Sequence, residues 1–214
     1  MITLSLQNLM DEVVREWPIN EDIYPSLKGM KLGSRNLFAT EHIQLHLIKT
    51  MGNLACALET RDHAGGATNE FQITRCISKA FTEIIRMAEV NGYDEKSLLT
   101  KGDLQDTMDF WQEKSAITNE VYPGLNGIHK DELKHRVIRL AYNRVQEALG
   151  DLARVLEIAY LTSGIAWLNI KQPVLNIFIA ILRLADIHGY GALTLIEACH
   201  ERLRMSKRKA NDNS

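Results

Sequence analysis

Apolar residues recur along this chain at steps of three and four, the spacing that gathers them on one face of an α-helix. The clearest run lies between Val174 and Ile196. Val174, Phe178, Ile181 and Ala185 mark an inward stripe, and Ile177, Leu182 and Leu184 widen it, so this helix is predicted to be covered on most sides. Gly189 follows where a helix end favours a residue tolerant of positive φ, and the Gly-Tyr-Gly corner at 189–191 turns the chain into a second helix from Ala192. The same spacing appears earlier at Ile77, Phe81, Ile84 and Ala88. There the segment MAEVNGY (87–93) lies over LADIHGY (184–190) at an offset of 97 residues.

The rest of the chain carries the same pattern in two rounds. Leu6, Leu9, Met10, Val13 and Val14 predict a short helix stopped by Pro18. Residues 20–33, with Pro25, Gly29 and Gly33, read as an ordered loop. Thr40 is placed to cap a long helix running to about Arg61, with Leu47, Met51, Leu54 and Leu58 as its stripe. A connection at 63–68 leads to a helix over about 70–90. From Leu104 the order begins again: Leu6/Leu104, Met10/Met108, Tyr24/Tyr122, Pro25/Pro123 and Gly29/Gly127 match without gaps at an offset of 98, and Val145, Leu149, Leu152 and Leu156 answer the long helix's stripe. The prediction is an all-α fold made by tandem duplication of a four-helix unit. The units are 1–102 and 103–205, packed about a pseudo-twofold axis, with 206–214 a polar, disordered tail.

Composition narrows the function classes. With 45% hydrophobic residues over 214 positions the chain can bury a substantial core, and a formal net charge of −2 gives no electrostatic footprint for nucleic acid or an anionic membrane. The most apolar helix is interrupted by Asn176, Arg183 and Asp186 and is too short to cross a bilayer. Cys56, Cys76 and Cys199, odd in number and widely spaced, form neither a disulfide framework nor a zinc motif. They fit a reducing cytoplasmic setting, and the N-terminus turns acidic before any signal-length apolar run.

Two pairs of segments carry a family resemblance. HLIKTMGNLACAL (46–58) with the helix ending in RMAEVNGY, and VQEALGDLARVL (145–156) with ILRLADIHGY, resemble the MazG-like all-α nucleoside triphosphate pyrophosphohydrolases. The tandem arrangement looks like that of the related dimeric dUTPases. The resemblance implies a helical bundle that binds Mg²⁺ through a Glu-x-x-Glu on one helix and a Glu-x-x-Asp on the next, and cleaves a nucleotide between its α and β phosphates. Mg²⁺ wants oxygen ligands in octahedral geometry, and carboxylates three residues apart share one helix face. The ion neutralises developing phosphate charge and helps generate the attacking hydroxide. Carried over residue by residue, those positions are Thr50 and Asn53, then Cys76 and Lys79, in the first unit. In the second they are Ala148 and Asp151, then Pro173 and Asn176. One carboxylate of the eight remains, at Asp151.

The leading expectation is therefore a catalytically degenerate MazG-like protein that binds a nucleotide or other phosphorylated ligand, or a protein partner, a second copy in a homodimer included. Two alternatives stand beside it. One is an active pyrophosphohydrolase that uses Mg²⁺ through displaced acids such as Glu147, Asp151, Glu83 or Glu89, with Glu147 and Asp151 the catalytic pair if it is active; the other is a helical interaction scaffold. Expected ligand contacts are His46, Thr50, Asn53, Lys79, Asp151, Asn176 and Arg183, with Lys79 either on a phosphate or paired with Asp151. His42 and His46, one turn apart, either line a polar pocket or form part of a metal site. Arg86 and Arg183 are phosphate contacts or ion-pair partners. Arg202, Lys207 and Arg208 match the basic end of the family's last helix. Trp17, Trp111 and Trp167 fill gaps in the core, with Trp167 the one placed to stack on a base.

Overall fold

The computed structural model describes residues 5–63, 69–161 and 170–211, with the side chains at 61, 62, 131 and 206–211 left aside. Trp167, Lys207 and Arg208 thus fall outside the described side chains. Among the described residues every regular element is helical. They are α1 (Leu6–Glu16), α2 (Leu32–His63), α3 (Glu70–Val90), α4 (Glu95–Leu98), α5 (Leu104–Lys114), α6 (Lys130–Leu161), α7 (Lys171–Ile187) and α8 (Ala192–Asn211). One-turn 3-10 helices lie at Pro25–Leu27 and Pro123–Leu125.

Local chemistry sets these bounds. The Ser5 hydroxyl accepts from Asn8 N to cap α1, and Asp103 and Asp106 form a reciprocal capping box at the start of α5. α3 and α7 both end in a left-handed glycine, Gly92 at φ 75° and Gly189 at φ 96°. Tyr93 N reaches back to Ala88 O and Tyr190 N to Ala185 O, closing the last turn in the Schellman manner. α2 begins eight residues before the expected cap at Thr40. Leu37 and Ala39 are buried, Arg35 holds the first turn through an ion pair with Glu21 and a bond to Leu27 O, and the Thr40 hydroxyl donates to Asn36 O inside the helix. α8 continues as helix six residues beyond Met205.

The predicted stripes are the core. Val174, Phe178, Ile181 and Ala185 have no exposed surface, and Leu47, Met51, Leu54, Leu58, Ile77, Phe81, Ile84 and Ala88 are buried with them in one continuous cluster. α2 packs on α3 and α6 on α7, while α3 meets α7 and α2 meets α6 at the centre. There the rings of Phe81 and Phe178, residues 97 positions apart, lie 5.8 Å apart between centroids. α1 and α5 bear the same 98-residue offset at both ends, as do α2 and α6 and the two 3-10 turns. No single helix among the described residues is long and apolar enough to cross a membrane.

Candidate functional site

The α2/α3 pair presents polar side chains on one shared face. Lys79, Glu83 and Arg86 follow one another at steps of four and three on α3, opposite His42, His46 and Thr50 on α2. Glu83 is the hub and is only 4% exposed. The Thr50 hydroxyl donates to its Oε2 at 3.0 Å, Lys79 Nζ lies 3.5 Å from Oε1, and His46 Nδ1 lies 3.9 Å from the same oxygen. A second contact extends the chain outward: Tyr24 Oη and His42 Nε2 are 3.0 Å apart, and the His42 and His46 rings sit 4.6 Å apart.

A cavity of about 320 Å³ opens over this face, lined by Trp17, Tyr24, His46, Lys79, Glu83, Arg86 and Arg202 among others. Arg202 reaches it from α8, with its guanidinium 4.9 Å from the centre of the Trp17 ring. Arg86 donates through Nη2 to Pro18 O at 3.5 Å, but its Nε is buried without a partner, and so is Arg202 Nη1.

Burial dominates the electrostatics. It pushes the Glu83 carboxyl above its ordinary range, against the opposing pull of Lys79, Thr50 and Arg202. Burial lowers both imidazoles as well, reinforced at His42 by Arg86 and at His46 by His42 and Lys79. Neutral histidines are therefore favoured, and the His46–Glu83 contact is a polar contact rather than an ion pair. Burial also raises Cys76 and takes the fully buried Cys199 to about 12, which disfavours the thiolate at both.

Glu83→Gln is expected to raise the thermal midpoint near neutral pH, because a neutral isostere keeps the Thr50 hydrogen bond without the charge that burial disfavours. With its pKa raised in the folded chain, Glu83 holds a proton that the unfolded chain releases above about pH 4.5. Its contribution therefore becomes less favourable as pH rises from there through the folded value. Thermal unfolding at pH 4 and pH 7 checks this: the variant's advantage should appear at pH 7 and fade at pH 4.

The corresponding face of α6 and α7 borders a second cavity of about 480 Å³, which collects Glu147, Asp151, Asn176 and Arg183. Glu147 is 3.4 Å from Arg144 and Asp151 is 2.8 Å from Arg154, both pairs well exposed. Asn176 Oδ1 accepts from Gln172, and Arg183 pairs with Asp186 on its own helix at 2.5 Å. The expected contacts thus divide between two places. His46, Thr50 and Lys79 meet at the first face and Asp151, Asn176 and Arg183 at the second. Asn53 is exposed and lines neither cavity. Lys79 faces Glu83 rather than Asp151, because both side chains are on the same helix one turn apart.

Mg²⁺, the ion implied by the resemblance, does not fit these donors. In the first cavity Glu83 is already engaged by Thr50 and Lys79, and the other lining acid, Glu16, is paired with Arg15. Glu147 and Asp151 point at arginines, and the facing positions on α7 are Asn176, Ala180 and Arg183. Among the described residues no group of three or more His, Cys, Asp or Glu is arranged to hold a metal ion. Glu83 entered the sequence reading only as one displaced acid among several, although its place one turn beyond Lys79 on the face of Arg86 was a usable signal. Trp17 and Arg202, far apart in the chain, gave no local signal of their contact. Comparison of the chain with family models, curated proteins and solved structures finds no match.

Proposed function

We propose that this protein is a catalytically degenerate, MazG-like helical bundle that binds a phosphorylated small molecule, a nucleotide or a simpler phosphoester, in the α2/α3 cavity without a divalent ion. The observation that carries the reading is the pair of buried, unpartnered guanidinium nitrogens, Arg86 Nε and Arg202 Nη1, on residues that line a cavity also holding Lys79. Buried donors at a cavity can take an acceptor from a bound ligand, and a phosphate offers several charged oxygens at once. Three cations against two acids, Glu16, which Arg15 pairs, and Glu83, whose charge burial disfavours, leave the lining net positive.

The same proposal reads the chain as a tandem duplication about a pseudo-twofold axis. Matching helix bounds at an offset of 98, matched left-handed glycines at Gly29 and Gly127 and at Gly92 and Gly189, and the contact of Phe81 with its counterpart Phe178 support that history. The three cysteines are unpaired, in keeping with a reducing cytosol.

Calorimetry with pyrophosphate and a nucleotide panel in EDTA tests the binding, and a pyrophosphate-release assay with Mg²⁺ tests the loss of activity. Binding in EDTA is expected, with no release above metal-only controls. Losing a metal centre removes several kcal/mol of transition-state stabilisation, on the order of 10³-fold in rate. Mg²⁺-dependent turnover that disappears in Asp151→Asn would instead establish the displaced-acid hydrolase.

A further inference from the structure

The second cavity differs from the first in a consistent way. At the 97- or 98-residue offset, Trp17 is answered by Ser115, Thr50 by Ala148 and Glu83 by Ala180, each a smaller side chain, and the last two exchange a polar group for a methyl. The space is correspondingly larger, about 480 Å³ against about 320 Å³. Its floor is made of small apolar groups, Ala141, Ala148 and Ala180, and the aromatic side chains of Trp111 and Tyr122 stand among its walls.

Polar groups around it are unequally available. Arg144 is committed at the surface, with Nη2 donating to Tyr122 Oη at 2.9 Å and Nη1 facing Glu147. Glu147 and Asp151 are exposed acids along the rim. Arg183 is different: it is 8% exposed, is tethered through Nη1 to Asp186, and keeps a buried Nε without a partner. The rim acids are each paired with an arginine, so the floor decides the ligand: small apolar groups and one buried guanidinium, partly neutralised by Asp186 and with a single open N–H, suit a flat apolar body with one negative charge better than a multiply charged phosphate.

We infer that the second cavity is a separate binding site for a small amphipathic monoanion, such as an aromatic carboxylate, whose ring lies on Ala148 and Ala180 and whose carboxylate meets Arg183. This site goes beyond the phosphate reading and stands or falls without it, since no residue of the first cavity takes part.

Calorimetry of the full chain with 2-naphthoate in EDTA tests it, with 2-naphthamide as the neutral analogue. One-to-one binding is expected, weakened at least about 10-fold for the amide and in Arg183→Met through loss of a charge-assisted contact. Ala148→Leu, which fills the floor, should weaken it similarly, while Leu45→Ala, at an exposed position of α2 outside both cavities, should leave it unchanged. The two cavity variants lie on different helices, so a folding failure in one, seen as a collapsed thermal transition, leaves the other decisive. The inference is overturned if naphthoate does not bind, if amide and carboxylate bind alike, if a folded cavity variant binds like the natural chain, or if Leu45→Ala abolishes binding.

Discussion

Phe81→Ala is expected to lower the thermal midpoint by on the order of 10 °C. A buried phenylalanine cut to alanine costs about 3–5 kcal/mol, because the transfer energy of the ring is lost and a cavity remains. For a chain of this length each kcal/mol moves the midpoint by roughly 2–4 °C. Phe81 has no exposed surface, and its ring lies 5.8 Å from that of Phe178 on the seam where α3 and α7 join the two ends of the chain. Phe178→Ala should cost as much. The double variant should lose less than the sum by about 0.5–1.5 kcal/mol, the coupling measured for aromatic pairs. Leu45→Ala, 64% exposed on α2, supplies a control expected within about 0.5 kcal/mol of the natural chain. Calorimetric unfolding of the four variants decides this. Ring truncations no worse than Leu45→Ala would remove the α3/α7 seam from the account of stability.

That seam was legible in the sequence because helical periodicity reports burial directly. The steps at 77, 81, 84 and 88 and at 174, 178, 181 and 185 name residues that are all buried in the structure. The left-handed turn at Gly189 was legible for an equally local reason, since only glycine takes φ 96° without strain. The start of α2 was not. Its first turns contain Gly33, Ser34 and Asn36, poor helix formers that are held in place by Arg35 and by burial of Leu37 and Ala39. The candidate site divides along the same line. Helical spacing put His46 and Thr50 on one face, the family resemblance put Lys79 at the same site, and the structure brings all three together around Glu83. Glu83's role as the hub depends on Thr50, 33 residues away, and on Arg202 near the end of the chain, and no window along the sequence reports either partner.

Lys79→Glu gives the sharpest test of the phosphate site, because it reverses one charge at the cavity while leaving the helix intact. Lysine and glutamate have similar helix propensity, and Lys79 is partly exposed, so the fold should tolerate the exchange. In the natural chain Lys79, Arg86 and Arg202 outnumber the lining acids Glu16 and Glu83, and an arriving phosphate meets a net positive surface. In the variant two carboxylates stand one turn apart on α3 against two arginines. The ligand loses a charge-assisted contact worth about 1.5–3 kcal/mol. It also meets a repulsion of similar size at an effective dielectric of about 20. Since each 1.4 kcal/mol is about tenfold in affinity, phosphate binding should fall by at least about 100-fold. Lys79→Gln, which removes the contact without adding repulsion, should fall between the two. Binding by the natural chain should be unchanged by EDTA and should weaken as salt rises, because a partly exposed ammonium is screened over about 8–10 Å at physiological ionic strength. Titration of pyrophosphate into the three proteins in EDTA, at two salt concentrations, measures all of this. Binding that needs added Mg²⁺, or that survives the reversal unchanged, would place the phosphate contact elsewhere than Lys79.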